Sequence, residues 1–423
     1  MGHSVFRAKA QRNSYLTSIG GMAGIIFVGM AGPAFSVEQC MAATVDWQRS
    51  LGDLDLRTAV FTADGRHLIV GAGVPQPGPH DESAQTPHDA AVLAIDWDTG
   101  ATVWQAHVAG DGAREIEAMT ITPGGDVVVL GQLGHTPVPI GGFQDEFAWA
   151  ARLSSAGEVL WEKQFGTKGS LHGFFSGLAF EDESVLFAGW TEISSHEADD
   201  GYGWLVRVEP NGEYRWDIPI DNRILGIFPR DETSTIVLLG GEDGQIDFWD
   251  LDEGAKLFPW GGVSLGLDDI WIEDVWIDGI IDYDRVDNLL IRGMQFDDVS
   301  DKDLILRPDE NGGIRWRQLS VGEWPWINGL AGTQGDLLIL PNGVDLDPYE
   351  VAFTTASELL VLGAVTGEHK GALRTDLAHM APRGVVAIPG GYDIALFGVD
   401  TRGADGGPWN GDGLLAKVAV SCE

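Results

Sequence analysis

"ARLSSAGEVLW" (151–161) decides how the chain is read. A short apolar stretch leads to Ser-Ser-Ala-Gly, and a second stretch ends in Trp161. Glycine between two alternating runs marks a tight hairpin. The same unit recurs as "AIDWDTGATVW" (94–104), "VRVEPNGEYRW" (206–216) and "LRPDENGGIRW" (306–316), with a looser copy in "FWDLDEGAKLFPW" (248–260). With Trp47 included, the tryptophans fall at 47, 104, 161, 216, 260 and 316, in steps of 57, 57, 55, 44 and 56. One more step of 57 reaches Leu373, in the degenerate copy "GEHKGALR".

A second marker keeps the same period. Apolar runs end in glycine at Gly71, Gly131, Gly189, Gly240, Gly293 and Gly398, and Pro341 closes the run "LLILP". Turn residues precede most of them, and no segment sustains a helical period. Each repeat therefore holds four short strands, the last carrying the tryptophan. Repeats of this length and content predict an all-β protein: a seven-bladed β-propeller of four-stranded antiparallel blades. One such sheet cannot bury both faces alone, and stacking around an axis covers them. A tryptophan at a fixed place in each blade fills the wedge between neighbours, and its N–H can reach a neighbouring loop. The alternative use of these rings, stacking on a sugar or cofactor, fits their regular strand placement less well.

The pattern A-x-D-x-x-T-G-x-x-x-W at 94–104 resembles the tryptophan-docking motif of quinoprotein alcohol dehydrogenase-like (PQQ-like) propellers. The stretch "GGFQDEFAWAARLSSAGEVLWEKQFG" (141–166) is similar to repeats of secreted bacterial β-propeller proteins. The resemblance spans nearly all of residues 37–423, at the level of the repeat. It implies a fold and leaves activity open.

Residues 1–36 read as a signal peptide. Arg7, Lys9 and Arg12 precede the apolar run "IGGMAGIIFVGMA" (19–31), and Ala34 and Ser36 supply small residues before a cleavage point. The run is short for a spanning helix, which needs about 20 apolar residues. The expected product is exported, secreted or periplasmic, with a single domain over 37–423.

The ends of that domain explain its two cysteines, Cys40 and Cys422. "GLLAKVAV" (413–420) matches the third strand of a repeat, and then the chain stops. The missing fourth strand, with its tryptophan, is "TVDWQRSL" (44–51). Pairing of the two terminal strands would close the ring, with strands near 384–388 and 393–398 completing the blade. The cysteines stand where the covalent turn is missing, so a disulfide is expected in an oxidising compartment.

The formal net charge is −38, and −41 once residues 1–36 are removed, because they hold three basic residues and no acidic ones. Nucleic acid is excluded as a partner by repulsion. The loops between second and third strands hold twenty-one acidic residues against only Lys302 and Arg402, which predicts an acidic loop face. Asp89, Asp145, Asp200, Asp243, Asp301 and Asp412 each stand just before a third strand, where a carboxylate can accept loop N–H groups. "DDVSDKD" (297–303) offers Asp297, Asp298, Asp301 and Asp303 as candidate ligands for calcium, without the spaced calcium-loop pattern. His80, His88, His135 and His196 lie in these loops without zinc-ligand spacing. No nucleophile elbow, H-E-x-x-H or P-loop occurs. The expected function is a non-catalytic binding or scaffold module, monomeric, for an unknown protein or small ligand of basic character. The alternative is a propeller enzyme, quinone-dependent or hydrolytic. Against the quinone reading, the chain has no adjacent cysteines.

Overall fold

Each glycine-closed run forms the second strand of a four-stranded sheet. In the computed structural model, backbone is described for residues 40–75, 88–109, 113–134, 147–167, 170–193, 202–220, 223–229, 235–240, 246–251, 257–264, 275–282, 290–295, 302–308, 314–319, 331–333, 337–341, 358–363, 369–389, 391, 393–400, 402 and 412–422. Between 228 and 358, Leu251 alone has its side chain described.

The N-terminal strand is β1 (Cys40–Ser50). The next sheet runs β2 (Asp55–Phe61), β3 (His67–Pro75), β4 (His88–Asp96) and β5 (Thr102–Val108). A second holds β6 (Ala113–Ile121), β7 (Val127–Gly134), β8 (Phe147–Leu153) and β9 (Val159–Phe165). A third holds β10 (Ser170–Ala179), β11 (Val185–Ile193), β12 (Tyr202–Val208) and β13 (Tyr214–Ile220). The fourth is β14 (Arg223–Pro229), β15 (Thr235–Gly240), β16 (Ile246–Leu251) and β17 (Leu257–Ser264). The fifth is β18 (Val275–Asp282), β19 (Leu290–Gln295), β20 (Lys302–Pro308) and β21 (Ile314–Leu319). The sixth is β22 (Ala331–Thr333), β23 (Leu337–Pro341), β24 (Glu358–Gly363) and β25 (His369–Arg374).

Three strands remain at the C-terminus: β26 (Met380–Ala387), β27 (Ile394–Asp400) and β28 (Gly413–Cys422). Their sheet has the order β1-β28-β27-β26, so the N-terminal strand supplies the fourth member. All pairings are antiparallel, and the β1–β28 register sets Cys40 opposite Cys422 and Trp47 opposite Lys417.

First strands of successive sheets touch: β2 with β6, β6 with β10, β10 with β14, β14 with β18, β22 with β26, and β26 with β2. They are therefore the inner strands. The middle strands are buried on both faces, as β7 shows with Val127–Gly131 all buried. Strands covered on both sides need a near-continuous apolar run rather than alternation. The outer strands alternate instead, so β9 reads exposed, exposed, intermediate, exposed, intermediate, exposed, buried.

The core is divided into wedges between sheets. Val92 and Ala94 of β4 pack with Val129 and Trp149 of the following sheet. Ala91, Leu93 and Ile95 of the same strand face the other way, with Phe397 and Leu415 of the C-terminal sheet. The period of two along a strand thus sends alternate residues into different wedges. Among the described residues, no helix is long and apolar enough to cross a membrane.

Candidate functional site: the inner-strand ring

The inner strands share one irregularity. Six of the described first strands carry a residue skipped by the ladder: Arg57 between Leu56 and Thr58, Glu117 in β6, Phe175 in β10, Leu225 in β14, Asp278 in β18 and Arg383 in β26. Each is a β-bulge, which leaves one residue unpaired and re-aims its side chain. Their repetition at one place in six of the described sheets lines up equivalent positions along the inner strands.

In three sheets the glycine closing the second-strand run permits the bulge. A Cβ added at Gly131, Gly189 or Gly398 would lie 1.9, 1.9 and 2.0 Å from the carbonyl oxygens of Glu115, Gly173 and Ala381. Those carbonyls stand two residues before each bulge, turned towards the second strand. No side chain fits there, which is why these three runs end in glycine.

Charged groups from three neighbouring sheets meet at this ring. Arg57 pairs with Asp55 of its own strand at 2.7 Å, and Arg383 reaches the other oxygen of Asp55 at 3.6 Å. Desolvation lowers the Arg383 pKa. Desolvation, then the charge of Glu115, pushes the Glu117 carboxyl up to about 7, against the opposing pull of Arg57. Arg57 and Glu117 nonetheless form no ion pair. Among the described residues the Glu117 carboxyl has no hydrogen bond.

At the outer edge the tryptophans hold successive sheets together. Trp47 Nε1 donates to the Trp97 carbonyl at 3.1 Å, Trp104 Nε1 to Ser155 at 2.9 Å, and Trp161 Nε1 to Pro210 at 2.9 Å. Each acceptor lies in the turn between third and fourth strands of the following sheet. The indoles rest on Gly100, Gly157 and Gly212, where an added Cβ would approach to 2.9, 2.7 and 2.8 Å. These glycines have φ of +68°, +84° and +75°, a region open to glycine at little cost. Trp216 Nε1 is buried without a partner among the described residues. Turn 252–256, the corresponding turn of the next sheet, lies outside them, as do the side chains of Trp260 on β17 and Trp316 on β21.

A cation stands in register with four of these tryptophans across the outer strand pair: Lys417 opposite Trp47, Arg152 opposite Trp161, Arg207 opposite Trp216 and Arg307 opposite Trp316. Arg152 is buried and binds Asp126 at 2.9 Å, Glu183 at 2.5 Å and the Pro210 carbonyl at 3.2 Å, so it ties its own sheet to the next. Burial alone would raise the Glu183 pKa. Hydrogen bonds from Thr122, Gly124 and Arg152 outweigh it and hold the carboxyl below its usual range. Arg207 contacts Ser184 Oγ at 2.9 Å and lies over the Phe180 ring at 4.0 Å. Sequence reasoning missed these arginines, although Arg152, Arg207 and Arg307 each stand nine residues before a repeat tryptophan. It missed the bulge ring too, whose residues stand 14 or 15 before the run-closing glycine.

The expected loop sites are less fully described. Asp297, Asp298 and Asp301 lie outside the described residues, and Asp303 is placed on β20 opposite Met294. No cluster of three metal-ligating groups occurs among the described residues. Asp89 lies inside β4 opposite Val74, and its Oδ1 is buried without a partner among the described residues. Asp412 accepts from Ser50 Oγ at 3.0 Å, which ties β1 to the loop entering β28. Asp145, Asp200 and Asp243 are outside the described residues, as are His80, His135 and His196, while His88 begins β4. Arg402, one of the two loop cations, pairs with Asp400 through Nη2 at 2.6 Å and Nε at 3.0 Å. A cleft of 360 Å³ lies beside the end of β1, between Arg49, Asp53, Val74, Leu93 and Gln105.

Four-stranded antiparallel sheets packed through their inner strands define a β-propeller. The β-propeller domain of Cps50 (Swd1) from Myceliophteria thermophila matches with a TM-score of 0.50 at 11% identity, over 91% of this chain and all of that one. Quinohemoprotein alcohol dehydrogenase from Comamonas testosteroni matches at 0.45 and 11% identity, over 89% of this chain and 76% of that one. BamB from Moraxella catarrhalis matches at 0.40 and 12% identity, over 90% and 98%. At such identities the likeness is one of fold. No protein-family model and no curated protein matches the sequence.

Proposed function

We propose that residues 37–423 form an exported seven-bladed β-propeller, closed by the β1–β28 pairing, that acts by binding rather than by catalysis. The ring of bulge residues is its recognition face, and the acidic residues of the segments between second and third strands attract ligands of basic character. The observation that carries this reading is the bulge itself. Six inner strands leave the ladder at equivalent positions, and four of the six residues skipped there are charged. A repeated departure from regular pairing supports a selected function at that place.

The test is capture from an exported fraction on the immobilised full chain, with Arg57→Ser and Asp278→Ser compared with the native protein. Loss of specific partners in the folded ring variants supports the reading. Capture unchanged by both variants would overturn it.

A further inference from the structure

We propose that Arg57 and Glu117, bulge residues of two inner strands in direct contact, form a binding site for a small zwitterion of the α-amino acid class. The guanidinium takes the ligand's carboxylate, and the Glu117 carboxylate takes its ammonium group. This inference rests on the reading of the ring as the recognition face.

A pair of opposite charges here does not close. Arg57 belongs to β2 and Glu117 to β6, strands in direct contact, and both are bulge residues. Glu117 feels the charge of Arg57, yet Arg57 pairs with Asp55 at 2.7 Å and makes no ion pair with Glu117. A guanidinium carries five N–H donors, and among the described residues Asp55 engages only Nη2 of Arg57. The remaining donors suit the planar fork of a second carboxylate. Glu117 lies within partly desolvated surroundings without a hydrogen bond, where an ammonium group supplies both charge and donors.

The surroundings favour a ligand with no net charge. Asp55, Arg57, Arg383, Glu115 and Glu117 come to one net negative charge when all are ionised. A simple anion meets the negative field of a chain at −38, and a simple cation meets two guanidiniums. A zwitterion satisfies both poles at once.

Ionisation of Glu117 sets the pH dependence. On its own strand β6, Glu115 opposes ionisation, while Arg114 is committed to Glu162 at 2.7 Å. From β2, Arg57 favours ionisation, and Asp55 partly cancels that guanidinium. β10 brings only His172, whose ring accepts the Thr167 N–H at 3.1 Å and lies 5.2 Å from the Trp204 ring. β4 brings Asp89 and His88 near its first turn and Asp96 at its far end, and β3 brings His67, opposite Asp96. β7 carries no titratable side chain. The carboxyl titrates at about 7, so it becomes able to hold an ammonium group as the pH rises through neutrality.

Glycine, acetate and methylamine are titrated into the full chain at constant ionic strength from pH 6 to pH 8, with heat or ligand NMR line width as the readout. Glycine keeps its zwitterionic form over this range. The expected result is glycine affinity roughly tenfold higher at pH 8 than at pH 6. Acetate and methylamine should each bind at least about tenfold more weakly than glycine at pH 8. Glu117→Gln should flatten the glycine profile, and Arg57→Lys should weaken binding while keeping the charge. Glycine binding no tighter than either half-ligand, or a rise with pH that persists in Glu117→Gln, overturns the proposal. Capture of partners by the ring does not depend on glycine, so the two readings fail separately.

Discussion

At the scale of single residues, two positions carry the inner-strand geometry. Gly131 faces a carbonyl that a Cβ would approach to 1.9 Å. Gly131→Ala should therefore cost about 2–4 kcal/mol, because the bulge at Glu117 must relax or the strands must part. Urea unfolding of the variant checks this, and a loss below about 0.5 kcal/mol would remove the close-approach account. Glu117 carries the opposite cost. Its carboxyl is raised from an ordinary 4.5 to about 7 in the folded chain, chiefly by desolvation and secondly by Glu115. The unfolded chain thus loses this proton first, and the native state is penalised as pH rises from about 4.5 to 7, by up to about 3 kcal/mol. Below pH 4 both states are protonated and the penalty vanishes. Glu117→Gln should raise the melting temperature at pH 8 and change it little at pH 4. Equal shifts at both pH values would contradict that sign.

At the scale of elements, the unit is an outer strand docked on the next sheet's turn. Trp104 combines a hydrogen bond to the Ser155 carbonyl with ring contact on Gly157. Trp104→Phe should cost about 1 kcal/mol for the lost N–H bond, and Trp104→Ala about 3–4 kcal/mol because the wedge loses its filling. If both variants unfold at the native urea midpoint, the indole is not holding the sheets. This element was legible in sequence because one chemistry recurs: an indole at a fixed step after a glycine turn. Strand content was legible too, since apolar runs between turns have few other uses. The inner ring was not, and the reason is physical. A bulge is a backbone event, so Arg57, Glu117, Phe175, Leu225, Asp278 and Arg383 share a position without sharing a side chain. Its only chemical trace is the glycine opposite, which reads in sequence as a strand ending. Arg152 escaped notice for a different reason: its partners Asp126 and Glu183 come from two sheets, and their meeting depends on packing. Glu183 adds a local departure, with φ of +65° where Gly65 and Gly125 occupy the corresponding turns. Its ties to Arg152 and Gly124 hold a conformation that an unbonded glutamate would rarely adopt.

At the scale of the whole molecule, the question is what holds the two ends of the chain in one sheet. Every other four-stranded sheet is built from one continuous stretch of chain, but the C-terminal sheet borrows β1 from the opposite end. Its integrity rests on the β1–β28 ladder, on Trp47 docked at the Trp97 carbonyl, and on Arg49 donating to the Gly100 carbonyl at 2.7 Å. The register places Cys40 opposite Cys422. Directly opposed residues in an antiparallel pair lie about 4.5–5.5 Å apart at Cα, within the reach of a disulfide at about 7 Å or less. The expected outcome is a Cys40–Cys422 bond in protein isolated without reductant, seen as a loss of two mass units relative to the reduced chain. A covalent closure spanning nearly the whole domain contributes about 5–6 kcal/mol on the chain-entropy model, and strain lowers the realised value. Reduction should lower the melting temperature by several degrees, and Cys422→Ser should behave like the reduced chain while keeping its β-sheet circular dichroism. The ladder alone still pairs the ends, so neither change should abolish folding at room temperature. Two alkylatable thiols in protein isolated without reductant would show that this seam is held by hydrogen bonds and tryptophan packing only.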